Sequence, residues 1–203
     1  MSGTDGHRVG VVAVQGNVRE HVAAVERAAS DAETDVSVVE IRDAGIVPDC
    51  DALVLPGGES TTISRLLRTE GIDEEIVAHA DAGKPILATC AGLIVASRDA
   101  RDERVTTLDL IDAAVDRNAF GRQVDSFEAG LDVEGLDDPF HAVFIRAPVV
   151  DDVGPDVDVL ATWEGRPVAV RDGPVVATAF HPELTDDARI HRLALFDPLR
   201  VTA

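Results

Sequence analysis

Apolar residues follow two rhythms along this 203-residue chain, and the change between them divides it in half. In the first half, short apolar runs alternate with stretches of helical spacing. Val9-Gly10-Val11-Val12-Ala13-Val14 is almost unbroken, as a strand covered on both faces would be. It stops at Gln15-Gly16-Asn17, after which Val18, Val22, Val25 and Ala29 fall at intervals of four, three and four, the stripe of an amphipathic helix. The same reading predicts strands at 36–41, 52–55 and 85–89, and helices over 61–68, 74–82 and 91–96. Strands alternating with helices predict βαβ units and an α/β domain on a mostly parallel sheet.

The second half has shorter strands and more turns. Strands are expected at 143–145, 157–162, 167–170 and 175–179, with hairpin turns at Gly165-Arg166 and Asp172-Gly173. Polar 97–104, and the Gly-, Pro- and Asp-bearing segments 130–139 and 151–156, read as loops. No repeat or linker splits the chain, so residues 1–203 are expected to form one domain, with 1–7 as a flexible start.

Charge narrows the list of partners. The formal net charge is −20, and Lys84 is the only lysine. Such a field repels phosphate backbones and argues against nucleic acid. An Asp-rich, Lys-poor surface is also that of proteins from a high-salt cytoplasm, where ions screen self-repulsion. No run approaches the ~18 apolar residues of a membrane span. The start, Met1-Ser2-Gly3-Thr4-Asp5-Gly6-His7, lacks a basic then apolar signal region, so a cytoplasmic location is expected. Neither Cys50 nor Cys90 belongs to a C-x-x-C pair, which argues against a disulfide framework and a zinc site.

Three stretches could carry chemistry. Leu87-Ala88-Thr89-Cys90-Ala91-Gly92-Leu93 places a thiol where a strand turns into a helix. There it is either a small buried hydrophobe or a nucleophile favoured by the helix N-terminus, with the Ala91 amide free for an oxyanion. In Phe180-His181-Pro182-Glu183-Leu184, two-residue spacing in extended backbone lets His181 and Glu183 touch, as a base and its orienting carboxylate would. Leu55-Pro56-Gly57-Gly58-Glu59-Ser60-Thr61-Thr62 is a plain tight turn or a cradle of amides for a phosphate or oxyanion. It matches neither the P-loop nor the G-x-S-x-G elbow. Cys50 and the other five histidines (His7, His21, His79, His141, His191) have no such setting and read as packing or surface residues.

In this order, the glycine loop, the cysteine corner and the late His-x-Glu resemble the class I, triad-type glutamine amidotransferases. The resemblance is closest to the glutaminase subunit of pyridoxal phosphate synthase. It runs through Val14-Gln15-Gly16-Asn17-Val18-Arg19-Glu20-His21, Leu55 through Thr62 and Thr89-Cys90-Ala91-Gly92-Leu93-Ile94. Arg117-Asn118-Ala119-Phe120-Gly121-Arg122-Gln123-Val124-Asp125-Ser126-Phe127-Glu128 is its most specific run, followed by Val143-Phe144-Ile145-Arg146-Ala147-Pro148 and the His181 segment. Ala88 departs from the family's usual glycine, and 97–107 matches poorly.

The resemblance implies a flavodoxin-like, three-layer α/β/α fold in which Cys90, His181 and Glu183 hydrolyse the side-chain amide of L-glutamine through a thioester. Backbone N–H groups of Gly58 and Ala91 would hold the oxyanion, and Gly58, Glu59, Ser60, Arg117, Ile145 and Arg146 would bind glutamine. It implies no metal or other cofactor, and a synthase barrel as partner that receives the ammonia. Residues 15–17 are expected to respond to docking of that partner. The rival readings are a glutaminase subunit serving another ammonia-using pathway, a catalytically silent regulatory subunit of the same fold, and a cysteine hydrolase or peptidase of similar topology.

Overall fold

A computed structural model describes residues 6–117 and 126–197. The first half builds as its apolar rhythm predicts. Strand β1 (His7–Val12) leads into α1 (Val18–Asp31), then β2 (Val36–Ile41), β3 (Ala52–Leu55), α2 (Ser60–Glu70), α3 (Asp73–Asp81), β4 (Ile86–Thr89) and α4 (Ala91–Ala96). Every residue of β3 and of β4 is buried, which is why neither alternates. The second half adds β5 (Ser97–Asp99), β6 (Ile111–Asp116), β7 (Ser126–Leu131), β8 (Phe140–Ile145), β9 (Val149–Val153), β10 (Asp158–Trp163), β11 (Arg166–Asp172), β12 (Val175–Thr178) and α5 (Arg189–Leu195).

The described residues form a seven-stranded sheet in the order β10-β11-β12-β4-β3-β1-β2. Strands β2, β1, β3, β4 and β12 run parallel, and β11 and β10 extend the edge antiparallel. The chain leaves β1 toward β2 with α1 and later crosses from β3 to β4 through α2 and α3. Right-handed crossovers in opposite directions put these helices on opposite faces. Accordingly α1 packs with α5, while α2 packs with α3 and α4. The strand order reverses between β1 and β3, and ligands bind beyond the carboxyl ends of the strands at such a point.

Two small sheets, β5-β6-β9 and the β7-β8 hairpin, lie beyond the main one. The hairpin is tied down by aromatic packing: Phe127 stacks on Phe144 at 4.4 Å between ring centres, and Phe180 meets both Phe144 and Phe140. This sets β8 against the segment that carries His181, whose N–H donates to the carbonyl of Val143 at 2.8 Å.

The structure corrects several expectations. His7 pairs with Val36 as the first residue of β1, so it is no part of a loose start, and residues 1–5 lie outside the described residues. Ser97 is buried and opens β5, inside the segment read as a surface loop. Gly130 and Leu131 finish β7, and residues 151–153 belong to β9, although both segments were expected to be loops. Paired aspartates at 151–152 lie exposed on β9, so the strand has no apolar alternation there to read. The turn expected at Gly165-Arg166 is Glu164-Gly165, with both φ values positive, and that expected at Asp172-Gly173 begins one residue later, since Asp172 still pairs with Val175.

Candidate active site

Strand β4 hands the chain to α4 through a single strained residue. Cys90 has φ 50° and ψ −107°, a backbone shape that L residues avoid. Its N–H is held by the carbonyl of Thr178 at 2.8 Å, and all six residues of α4 are buried, so the corner cannot relax. Gly92 makes the corner possible: a Cβ there would sit 2.2 Å from the carbonyl oxygen of Leu55. The amide of Ala91 belongs to the first turn of α4, where N–H groups lack partners within the helix. The Sγ of Cys90 lies 3.9 Å from the carbonyl oxygen of Ile145, at the end of β8.

His181 arrives from the next strand. β12 lies parallel to β4 in register, Thr178 opposite Thr89, so the two chains leave the sheet side by side. Nδ1 of His181 bonds to Oε1 of Glu183 at 2.7 Å, and its ring also hydrogen-bonds Cys90. Burial alone would lower the pKa of His181. The hydrogen bonds and negative charge of Cys90 and Glu183 outweigh it and hold the value at about 10. Burial likewise opposes the charge on Glu183, yet bonds from His181 and Asn17 and the nearby rings hold it at about 2. His181 is thus an imidazolium at neutral pH, a proton donor held beside the sulfur.

The glycine loop after β3 closes the third side. A Cβ on Gly57 would lie 2.9 Å from Cε1 of His181 and 3.3 Å from Cβ of Cys90. Gly57→Ala is therefore expected to keep its circular dichroism spectrum but lose about 10²-fold in kcat, because the imidazole is pushed off the sulfur. A wild-type kcat would show that the ring has room to spare. Gln15 sits over the same loop, its Oε1 accepting from the N–H of Glu59 at 2.7 Å. Asn17, two residues on, donates to Oε1 of Glu183 at 3.0 Å. One short segment after β1 therefore touches both the glycine loop and the carboxylate behind His181.

Glu59 caps α2 by accepting from the N–H groups of Thr61 and Thr62, and bonds from the Thr61 hydroxyl above all, then the Thr62 hydroxyl and these amides, outweigh burial and hold its carboxyl at about 2. Arg117 reaches it with one nitrogen at 3.2 Å and Asp102 with another at 3.1 Å. Ser60 is buried at the start of α2. Ile145 is half-exposed beside Cys90, and Arg146 follows it with φ 45°. The expected glutamine residues thus form two groups: Glu59, Ser60 and Arg117 around the start of α2, and Ile145 and Arg146 at the end of β8. Residues 118–125 of the most specific run lie outside the described residues.

Sequence reading missed three contributors and gave the fourth, Asn17, a part only in docking. Asp102 fell in the segment read as loop, and His21 and His191 were left as packing or surface residues. His21 was within reach: it stands four residues after Asn17, one turn along the same helix face.

Parallel strands that present a thiol and a carboxylate-bound imidazole at adjacent carboxyl ends are the layout of the class I glutamine amidotransferases. A crystal structure described as a glutamine amidotransferase matches with a TM-score of 0.80 at 45% identity, over 91% of this chain and 95% of that one. The chain belongs to the SNO glutamine amidotransferase family, whose model matches residues 11–196. Two relatives come from halophilic archaea, and each carries the description pyridoxal 5'-phosphate synthase subunit PdxT. That from Halorubrum lacusprofundi is 70% identical over 97% of this chain and 100% of the relative. That from Halobacterium salinarum is 71% identical over 93% of each.

Proposed function

We propose that this chain is a glutaminase that supplies ammonia to a pyridoxal phosphate synthase. The observation that carries it is the continuous contact from Glu183 through His181 to Cys90, made from adjacent parallel strands beside a glycine loop. The Cys90 thiolate attacks the side-chain amide carbon of L-glutamine. The resulting oxyanion lies between the N–H groups of Gly58 and Ala91, and one such donor is worth about 10²–10³ in rate. His181 gives its proton to the leaving nitrogen, ammonia departs, and a thioester remains. Water, losing a proton to His181, then attacks the thioester carbon and releases glutamate and the thiol.

Glutamine's free α-carboxylate needs a fork-shaped cation, which Arg117 and Arg146 offer, with Glu59, Ser60 and Ile145 completing the pocket. Ammonia released to water would be protonated and diluted, which favours direct transfer to a synthase barrel docked over the strand ends, in the cytoplasm. Gln15 and Asn17 are placed to register that docking, because they touch both the oxyanion loop and Glu183.

A glutamine-like electrophile such as a diazo-ketone analogue tests the site directly. Mass spectrometry is expected to find one adduct, on Cys90, formed faster with the synthase present and slowed by excess glutamine. An adduct on Cys50, or labelling indifferent to glutamine, would overturn the assignment. Cys50 is fully buried, and burial pushes its thiol pKa up, so it makes a clean internal control.

A further inference from the structure

Behind the Cys90–His181–Glu183 line lies a second pair of rings that the reaction as written does not use. His21, on α1, and His191, on α5, are both fully buried, and Nδ1 of His21 is 3.0 Å from Nε2 of His191. The other nitrogen of His21, Nε2, is 3.2 Å from Oγ1 of Thr89 and 3.5 Å from Oε2 of Glu183. That second oxygen of Glu183 is buried with no hydrogen-bond partner, while Oε1 accepts from both His181 and Asn17. Nδ1 of His191 is buried without a partner as well.

These contacts fix the protons. Burial holds His21 at about 4 and pushes His191 well below its ordinary value, so each ring is neutral and carries one N–H. If His21 carried its proton on Nδ1, its Nε2 lone pair would face the Glu183 carboxylate. His191 would then bear its own N–H on the unpartnered Nδ1, an orphaned buried donor. With the proton on Nε2, His191 donates to His21, and His21 points an N–H at Thr89 and at the bare oxygen of Glu183. Only a lone pair on His191 goes unmatched, and orphaned acceptors are tolerated better than orphaned donors.

We propose that His21 is a positioning residue for the catalytic pair: His191 holds it in the Nε2–H form, and that N–H keeps the second oxygen of Glu183 in place so that the carboxylate stays ionised and turned toward His181. The inference rests on the triad reading above. The groups that act on His21 are Glu20 on its own helix, His191 from α5, and Glu183 and His181 from the segment after β12, while Arg27 on α1 acts on His191. All remain in the variants below except the residue changed.

The sign follows from which charges the carboxylate supports. A less stable Glu183 anion supports the His181 imidazolium less, so that ring loses its proton at lower pH. The window in which His181 can protonate the leaving nitrogen therefore closes at a lower pH.

The test is the rate of glutamate release against pH in the complex with the synthase, measured beside Cys90→Ala. For His21→Leu, the alkaline limb, set by loss of the His181 proton, is expected to move down by about one unit, a tenfold change at that limb. His21→Gln, whose amide N–H reaches the Nε2 position, is expected to restore most of the limb. If His21→Leu does not fold, His191→Leu decides, with a downward shift of about half a unit expected because only the tautomer lock is lost. A wild-type alkaline limb in whichever variant decides would overturn the role, as would equal losses in His21→Leu and His21→Gln with an unmoved limb. Glutamate release by Cys90→Ala would instead overturn the triad itself, so the two failures are distinguishable.

Discussion

Replacing Cys90 by alanine is expected to reduce glutamate release by about 10⁴-fold or more, to the level of the assay blank, while the variant still binds glutamine and its synthase. The thioester route needs a sulfur at this corner, and no second group stands ready: among the described residues the other cysteine, Cys50, is fully buried and bonded to the carbonyl of Ile46. Removing the nucleophile of a triad costs about as much as removing the whole triad, because its members act as a unit. The fold is expected to survive, since alanine meets the same backbone strain at φ 50° and loses one partly covered sulfur. Thermal melting of the variant beside wild type separates lost chemistry from lost structure. Glutamate release at more than about a hundredth of the wild-type rate would sink the mechanism.

Glu183→Gln is the second large effect, and it acts without touching the sulfur. Oε1 of Glu183 receives two donors, from His181 and Asn17, and Oε2 faces His21 Nε2 at 3.5 Å. An amide must place its NH₂ at one of these positions. At the first it would confront both donors, and at the second it would confront the N–H assigned above to His21. The charge that keeps His181 protonated would also go. In a triad, the acid-to-amide change costs about 10⁴-fold by stranding the histidine in the wrong tautomer, so a loss of 10²–10⁴-fold in kcat is expected here. The alkaline limb of the rate profile should move down from the neighbourhood of pH 10, because burial would then lower the pKa of His181 unopposed by the carboxylate. Steady-state rates across pH check both, and a variant within about tenfold of wild type with an unmoved limb would refute the role given to Glu183.

The parallel half of the fold was readable because its strands are buried on both faces, and an unbroken apolar run followed by a helical stripe has few other interpretations. Cys90 was readable as a corner residue but not as a nucleophile. A thiol between a strand and a helix is chemically silent until a base is seen beside it, and that base comes from a strand far along the chain. Register between β4 and β12 joins them, and register is invisible to a local pattern. Among the antiparallel strands, β8, β10 and β11 were readable, while β7 and β9 were missed for a different reason. Strand β7 does alternate, with Phe127, Ala129 and Leu131 turned inward, but Gly130 inside it reads as a turn, and β9 loses its alternation at the exposed aspartates 151 and 152. Helix α5 was not foreseen either, although five of its seven residues are buried. His21 failed for a third reason: its meaning lies in His191, Thr89 and Glu183, three residues on three separate segments.

The in-register pairing of β4 with β12 makes the catalytic distance a property of the sheet rather than of the loops. Cys90 and His181 follow strand ends that are locked opposite each other, Thr89 against Thr178, and the bond from the Cys90 amide to Thr178 extends that lock by one residue past the strand. A slip of one residue would shift the base by about 3.3 Å and turn alternate side chains to the opposite face. The sheet therefore works as a ruler with a single mark: no partial displacement of these two strands leaves a weaker active site, only a working one or none. Changes far out on β10 or in the β5-β6-β9 sheet leave that mark untouched, and there the sequence is free to adapt its surface to salt.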